Sequence, residues 1–114
     1  MKKYYLGEFE EIVLLATAIL QKDAYGVGIK NEIEARLKRE VSMGAMHTAL
    51  LRLENKGYIR SHLGNSTEER AGRPRKYFEI TATGKKAIAY AKASRDKMWD
   101  AIPKVAWDIS GNVI

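Results

Sequence analysis

Cysteine is absent from the 114 residues, and proline, histidine, phenylalanine and tryptophan occur only twice each. Without cysteine there is no disulfide, no thiolate metal ligand and no thiol nucleophile. The two histidines, His47 and His62, cannot build a zinc centre without carboxylate help, so no metal and no cofactor is expected. No glycine-rich phosphate loop follows a strand pattern, and no His, Ser and Asp stand at triad-like spacing, which argues against an enzyme. Long apolar stretches are also missing. The longest, Ile12 to Leu20, has nine residues, where a membrane-spanning helix needs about 18 or more. No secretory-signal pattern opens the chain, so a cytoplasmic protein with no membrane partner is expected. Acidic charge is in deficit: 14 Asp+Glu face 20 Lys+Arg, giving a net charge of +6 and a pI near 9.6. Such a field attracts polyanions. The imbalance is uneven, with 9 basic and 8 acidic residues over 1–57 but 5 against 3 over 58–80 and 6 against 3 over 81–114. A hydrophobic share of 46% in a chain of this length suits one small globular domain.

What the chain does contain is helical periodicity. Phe9, Ile12, Val13, Ala16, Ile19 and Leu20 form a stripe, with Glu8, Glu10 and Glu11 in the first turn where they favour the positive end of the helix dipole. Lys22-Asp23-Ala24 ends that helix. A second is expected from about Gly26 to Arg39, burying Ile29, Ile33 and Leu37 beneath a mixed-charge outer side. Ser42 is a good N-cap for a third, running to about Lys56 and closed by Gly57. Met43, Met46, Leu50 and Leu53 line its inner face. On the opposite side the wheel places Gly44, Thr48, Arg52 and Asn55, flanked by Ala45 and Leu51. That small, polar, nearly uncharged side suits close approach to a groove.

From Tyr58 the period falls to two, giving a short strand to Leu63 that Gly64-Asn65-Ser66-Thr67 breaks. Glu68 to Pro74 read as a Gly- and Arg-bearing loop, and Lys76 to Ile80 as the returning strand. Thr81 can cap a last helix from about Ala82 to Ile102, with Ile88, Ala91, Arg95, Met98, Trp99 and Ile102 near one line until Pro103. The predicted class is mainly α with a small β-hairpin: a winged helix-turn-helix over residues 1–80, then a C-terminal dimerisation helix and tail over 81–114. A helix fits the major groove of B-DNA, and a basic hairpin beside it grips phosphates or the neighbouring minor groove.

Four segments carry a resemblance. Tyr25-Gly26, the run from Ser42 to Ile59, Gly72-Arg73-Pro74-Arg75-Lys76-Tyr77-Phe78 and Thr81-Ala82-Thr83-Gly84 occur in the order and at distances similar to the PadR family of bacterial transcriptional regulators. The resemblance spans about residues 6 to 88. It implies a homodimeric, ligand-responsive repressor acting on a double-stranded DNA operator. His47 stands where the family usually has Tyr, and Leu51 where it often has a basic residue. The short C-terminal part is similar to the small members of the family and leaves little protein for an effector pocket.

The candidate DNA-binding residues are Ser42, Gly44, Ala45, His47, Thr48 and Arg52 on the third helix, and Arg70, Arg73, Arg75 and Lys76 on the hairpin. The bland alternative for the hairpin is a solvated loop tip. Two roles are open to Arg52: a guanine or phosphate contact, or an ion pair with Glu8 or Glu11 that holds the domain together. His47 either bonds a phosphate or fills the helix edge. Trp99 is expected to fill a dimer core, with stacking on a planar aromatic effector as the sharper alternative. A winged-helix module for protein or RNA contacts, without specific operator binding, is the competing function.

Overall fold

A computed structural model describes residues 4–66 and 74–107. Three helices come first, α1 (Glu8–Leu20), α2 (Gly26–Leu37) and α3 (Met43–Asn55), followed by an antiparallel pair, β1 (Ile59–Ser66) and β2 (Pro74–Ile80), and a long helix α4 (Ala82–Ala101). Short 3-10 turns over Gln21–Asp23 and Lys104–Trp107 follow α1 and α4. The expected class and element order hold. Among the described residues no helix is long and apolar enough to cross a membrane.

Local chemistry explains most boundaries. The Ser42 Oγ accepts the Ala45 N–H at 3.0 Å and starts α3, while Gly57, at φ +80°, turns the chain out of it. Thr81 serves α4 twice: its Oγ1 accepts the Gly84 N–H at 3.0 Å and its hydroxyl donates to the Gly57 carbonyl at 2.6 Å. α2 ends two residues earlier than expected. Lys38 adopts a left-handed conformation, and Glu34 takes the Val41 N–H on Oε2 at 2.9 Å, which draws Val41 into the core.

The strands run longer than the residue pattern suggests. β1 passes through Gly64 because pairing to β2 resumes beyond an irregularity between Leu63 and Ser66, and the Tyr77 ring occupies the space a side chain at 64 would need. β2 starts at Pro74 rather than Lys76. The loop expected over Glu68 to Pro74 lies, apart from Pro74, outside the described residues. Ile59 at the start of β1 is buried, whereas Leu63, in the same alternation, is 65% exposed.

Leu14, Ile29, Met46, Leu53 and Ile59 are fully buried and join α1, α2, α3 and β1 in one core. Each contributes about 1.5–3 kcal/mol through burial. On α1 the buried face is Val13, Leu14, Ala16 and Thr17, so Ile19 of the expected stripe is exposed together with Leu15. Glu10 and Glu11, the first-turn carboxylates of α1, are each only 7% exposed. They are tolerated there because both are paired, Glu10 with Lys56 Nζ at 2.5 Å and Glu11 with Arg95 of α4. Only Gly84 and Ala87 of α4 are buried, and its far half, with Met98 and Trp99, is exposed.

Candidate nucleic-acid interface

α3 buries Met46, Ala49, Leu50 and Leu53, and this phase turns Gly44, Ala45, His47, Thr48, Leu51 and Arg52 outward together. The predicted residues Gly44, Ala45, His47, Thr48 and Arg52 therefore share one exposed surface, with Ser42 at its start. Ser42 uses its oxygen as the helix cap, which leaves its hydroxyl proton available to a further acceptor. Leu51 adds an apolar element, 59% exposed.

Arg52 resolves differently from either pairing considered from sequence. Glu8 is engaged by Arg39 at 3.3 Å and Glu11 by Arg95. The carboxylate nearest Arg52 is Glu10, with Nη1–Oε2 at 3.8 Å. That ion pair is long, and Lys56 holds the same carboxylate far more closely while also donating to the Tyr5 carbonyl at 3.1 Å. Arg52, 66% exposed at its side chain, is thus tied only loosely to the domain and keeps its guanidinium in solvent.

The hairpin is fastened beside α3. Phe78 N–H donates to the Ala24 carbonyl at 2.8 Å, and Tyr25 forms an isolated bridge with Tyr77. A groove of about 460 Å³ results, with His47 and Leu51 of α3, Tyr25 and Val27 at the start of α2, and Arg75 and Lys76 of β2 on its walls. Glu54 at its inner end accepts the Ser61 hydroxyl at 2.8 Å. A wider cleft, about 910 Å³, runs past Lys30, Lys38 and Arg39, but Lys30 is paired with Glu34 and Arg39 with Glu8, so much of its positive charge is internally met. Arg75 and Lys76 have no carboxylate partner among the described residues, and the smaller groove is the better anion attractor.

Arg75 and Lys76 thus stand across the groove from His47. Arg70 and Arg73 lie outside the described residues. Trp99 is on α4, well beyond the elements that form the groove, and is 52% exposed. Tyr25 has no role legible in the residue pattern, although its ring lies under the Arg75 guanidinium, whose carbon is 4.0 Å from the ring centroid. The only trace in the sequence is the Tyr25-Gly26 pair, because the two partners are 50 residues apart. Among the described residues no three His, Asp or Glu side chains are grouped to hold a metal ion.

Solved structures with the same architecture are numerous. A PadR-like transcription factor from Bacteroides fragilis is 26% identical, matches 81% of this chain and 84% of its own, and superposes with a TM-score of 0.67. A PadR family transcription regulator from Clostridium difficile is 30% identical over 78% of this chain and 91% of its own, with a TM-score of 0.59. A PadR-like regulator from Bacillus cereus, 22% identical over 88% and 92% of the two chains, reaches 0.70 and attests the fold. No curated protein matches the chain. Residues 14–90 match the transcriptional regulator PadR-like family, whose members are regulators and not enzymes. With two thirds of its length matched, the chain belongs to the PadR-like family of transcriptional regulators.

Proposed function

We propose that this regulator is a homodimeric, ligand-responsive repressor that binds a double-stranded DNA operator in the cytoplasm. One observation carries the reading: a small, almost uncharged helix face, from Gly44 to Arg52, is exposed as a unit beside Arg75 and Lys76, cations with no carboxylate partner among the described residues. Such a face can enter a major groove without repelling base edges, while the cations meet phosphates. In this reading residues 1–80 bind DNA, with Arg70 and Arg73 extending the hairpin's grip, and residues 81–114 pair two copies.

Pairing is supported by what a single copy leaves uncovered. Met98 and Trp99 are exposed on α4, and Leu15, Ile19 and Leu37 flank an apolar cleft of about 190 Å³ on α1 and α2. A two-fold mate would cover such faces. An effector would then bind near the seam, where Trp99 of each copy offers a flat face to a planar aromatic molecule. Operator half-sites lie about 34 Å apart or a multiple of it, so a small hinge at the seam becomes a misfit on DNA.

The test is an anisotropy titration on duplex DNA from upstream of the protein's own coding region, against scrambled duplex, over a range of salt. Preference of about a thousandfold or more is expected. Thr48→Ala should reorder affinities among operator variants, and Arg75→Ala should weaken all duplexes and lower the salt slope by about one. Absence of any site preference would refute operator binding and favour a winged-helix module for protein or RNA contacts. Sedimentation as a monomer at micromolar concentration would remove the dimer.

A further inference from the structure

Tyr25 is enclosed on three sides. The Arg75 guanidinium carbon lies over its ring, 4.0 Å from the centroid. Tyr77 meets it edge-on, with centroids 5.9 Å apart and planes at 74°. At one edge of the ring α2 comes so close that a Cβ on Gly28 would stand 3.0 Å from Cε1 and 3.3 Å from Cδ1 and Cζ. Tyr25 is also the N-cap of α2 and is bridged through its backbone to Tyr77, so the ring cannot drift without disturbing both elements.

The state of Arg75 is unusual for a cation on a solvent-facing hairpin. Its Nε is buried and has no hydrogen-bond partner, the one such side-chain atom among the described residues. Arginine has five N–H donors in a fixed planar fork, and the side-on mode of anion recognition uses Nε with one Nη. With Nε sealed against the protein, side-on recognition is closed to Arg75. Only the two Nη groups can reach outward, which leaves an end-on contact. An unpartnered buried N–H is costly, and the charge attraction of the ring face compensates for it only while the stack is intact.

We propose that Tyr25 is a positioning residue for DNA binding: its ring holds Arg75 in one orientation, so that the two Nη groups meet a single backbone phosphate end-on beside the duplex read by α3. This rests on the operator-binding reading and deepens it. Tyr25 itself touches no DNA. Its contribution is preorganisation, which removes the entropic cost of ordering a long, rotamer-rich side chain at the moment of contact. Lysine could not replace Arg75 here, because an ammonium has no planar fork to stack and divide between ring and phosphate.

The test is a double-mutant cycle on the full-length protein, with a random-sequence duplex of about 30 base pairs at roughly 50 mM salt, where backbone contacts dominate affinity. Tyr25→Leu should weaken binding about three- to tenfold, and Tyr25→Phe, which keeps the ring face, should bind as the parent does. In an Arg75→Ala background Tyr25→Leu should have no further effect. Gly28→Ala, which displaces the ring edge without deleting it, should resemble Tyr25→Leu and serves if the latter does not fold. In the DNA-free protein the Arg75 Nε–H NMR signal should be ring-shifted upfield and slow to exchange with water, in the parent and Tyr25→Phe but not in Tyr25→Leu. Equal losses from Tyr25→Leu in both Arg75 backgrounds, or an unshifted Nε–H signal in the parent, would overturn the proposal while leaving DNA binding standing. A parent protein that binds no duplex would overturn the operator reading and this proposal with it.

Discussion

Gly84 is the position where one added methyl should do most damage. It sits in the first turn of α4, and a Cβ there would lie 2.1 Å from the Tyr58 carbonyl oxygen, 3.0 Å from its carbon and 2.9 Å from Ile80 Cγ1. The Ile80 side chain can rotate away, but the Tyr58 carbonyl is backbone and already accepts the Thr81 N–H at 3.0 Å. Relief requires the start of α4 to retreat by about 1 Å. Overpacking of this kind costs about 1–3 kcal/mol, and loosening the Thr81 cap adds about 1 kcal/mol. Alanine's better helix propensity returns about 1 kcal/mol. The net loss is about 1–3 kcal/mol, which for a domain near this size lowers the melting temperature by about 5–20 °C. The displacement also has leverage. If α4 pivots about the buried Ala87, three residues or about 4.5 Å further on, then Trp99, about 18 Å beyond the pivot, swings by about 4 Å. The ion pair between Arg95 and Glu11 opposes that swing. Gly84→Ala should therefore melt early by circular dichroism and, if two copies pair through α4 as proposed, associate more weakly in sedimentation. A melting temperature within about 2 °C of the parent would refute the argument, because at that site helix propensity alone predicts a gain.

Two further outcomes are expected. Gly44→Ala, with open space around the new methyl apart from the Ser42 Oγ at 4.0 Å, should stabilise the protein by about 0.5–1 kcal/mol yet weaken operator binding, since the methyl stands on the face proposed to enter the groove; tighter binding in a titration would remove Gly44 from the interface. The Glu34 carboxyl is held below its ordinary value near 4.5, first by the Val41 N–H and then by Lys30. A lowered carboxyl contributes stability that is present above its ordinary value and lost as pH falls through the folded one. Glu34→Gln should thus be less stable than the parent at neutral pH, and the gap in melting temperature should narrow as pH falls below the ordinary carboxyl value near 4.5; a gap that stays constant would show that the charge of Glu34 is irrelevant.

What the residues declared in advance is what is decided locally. Ser42, Gly57 and Thr81 act on backbone groups within a few positions of themselves or of their own turn, so the ends of α3 and the start of α4 were legible. The α3 surface was legible for the same reason, since a clean 3.6 period has one phase. Contacts between distant residues were not. Glu10 rather than Glu8 or Glu11 faces Arg52, because the packing angle between α1 and α3 chooses among three carboxylates in one helical turn. The stack of Arg75 on Tyr25 needs the hairpin to fold back onto the start of α2, and no local rule joins positions 50 apart. Gly64 reads locally as a stop, yet the ring of Tyr77 across the ladder makes it a place of close approach.

The failure on α1 is of another kind and bears on assembly. From Ile12 to Leu20 the helix is apolar at eight of nine positions, so its sequence has almost no polar side from which to read a phase. One copy buries Val13, Leu14, Ala16 and Thr17 and leaves Leu15 and Ile19 in water, with Leu37 of α2 beside them. A helix apolar around most of its circumference is expected where both sides are covered, and a single copy covers one. The same imbalance recurs in the far half of α4, where Met98 and Trp99 are exposed on a helix whose buried residues stop at Ala87. Two exposed apolar surfaces are the kind that a second copy covers, and their burial would have to outweigh the mutual repulsion of chains that each carry a net charge of +6. If a second copy covers them, single charges placed there should act on assembly and spare the fold: Leu15→Glu and Trp99→Glu should each shift sedimentation from dimer to monomer while leaving the helical circular dichroism intact, because neither side chain belongs to the buried core. A dimer that persists in both variants would place the interface elsewhere and return α1 to being an ordinary exposed helix with an unexplained composition.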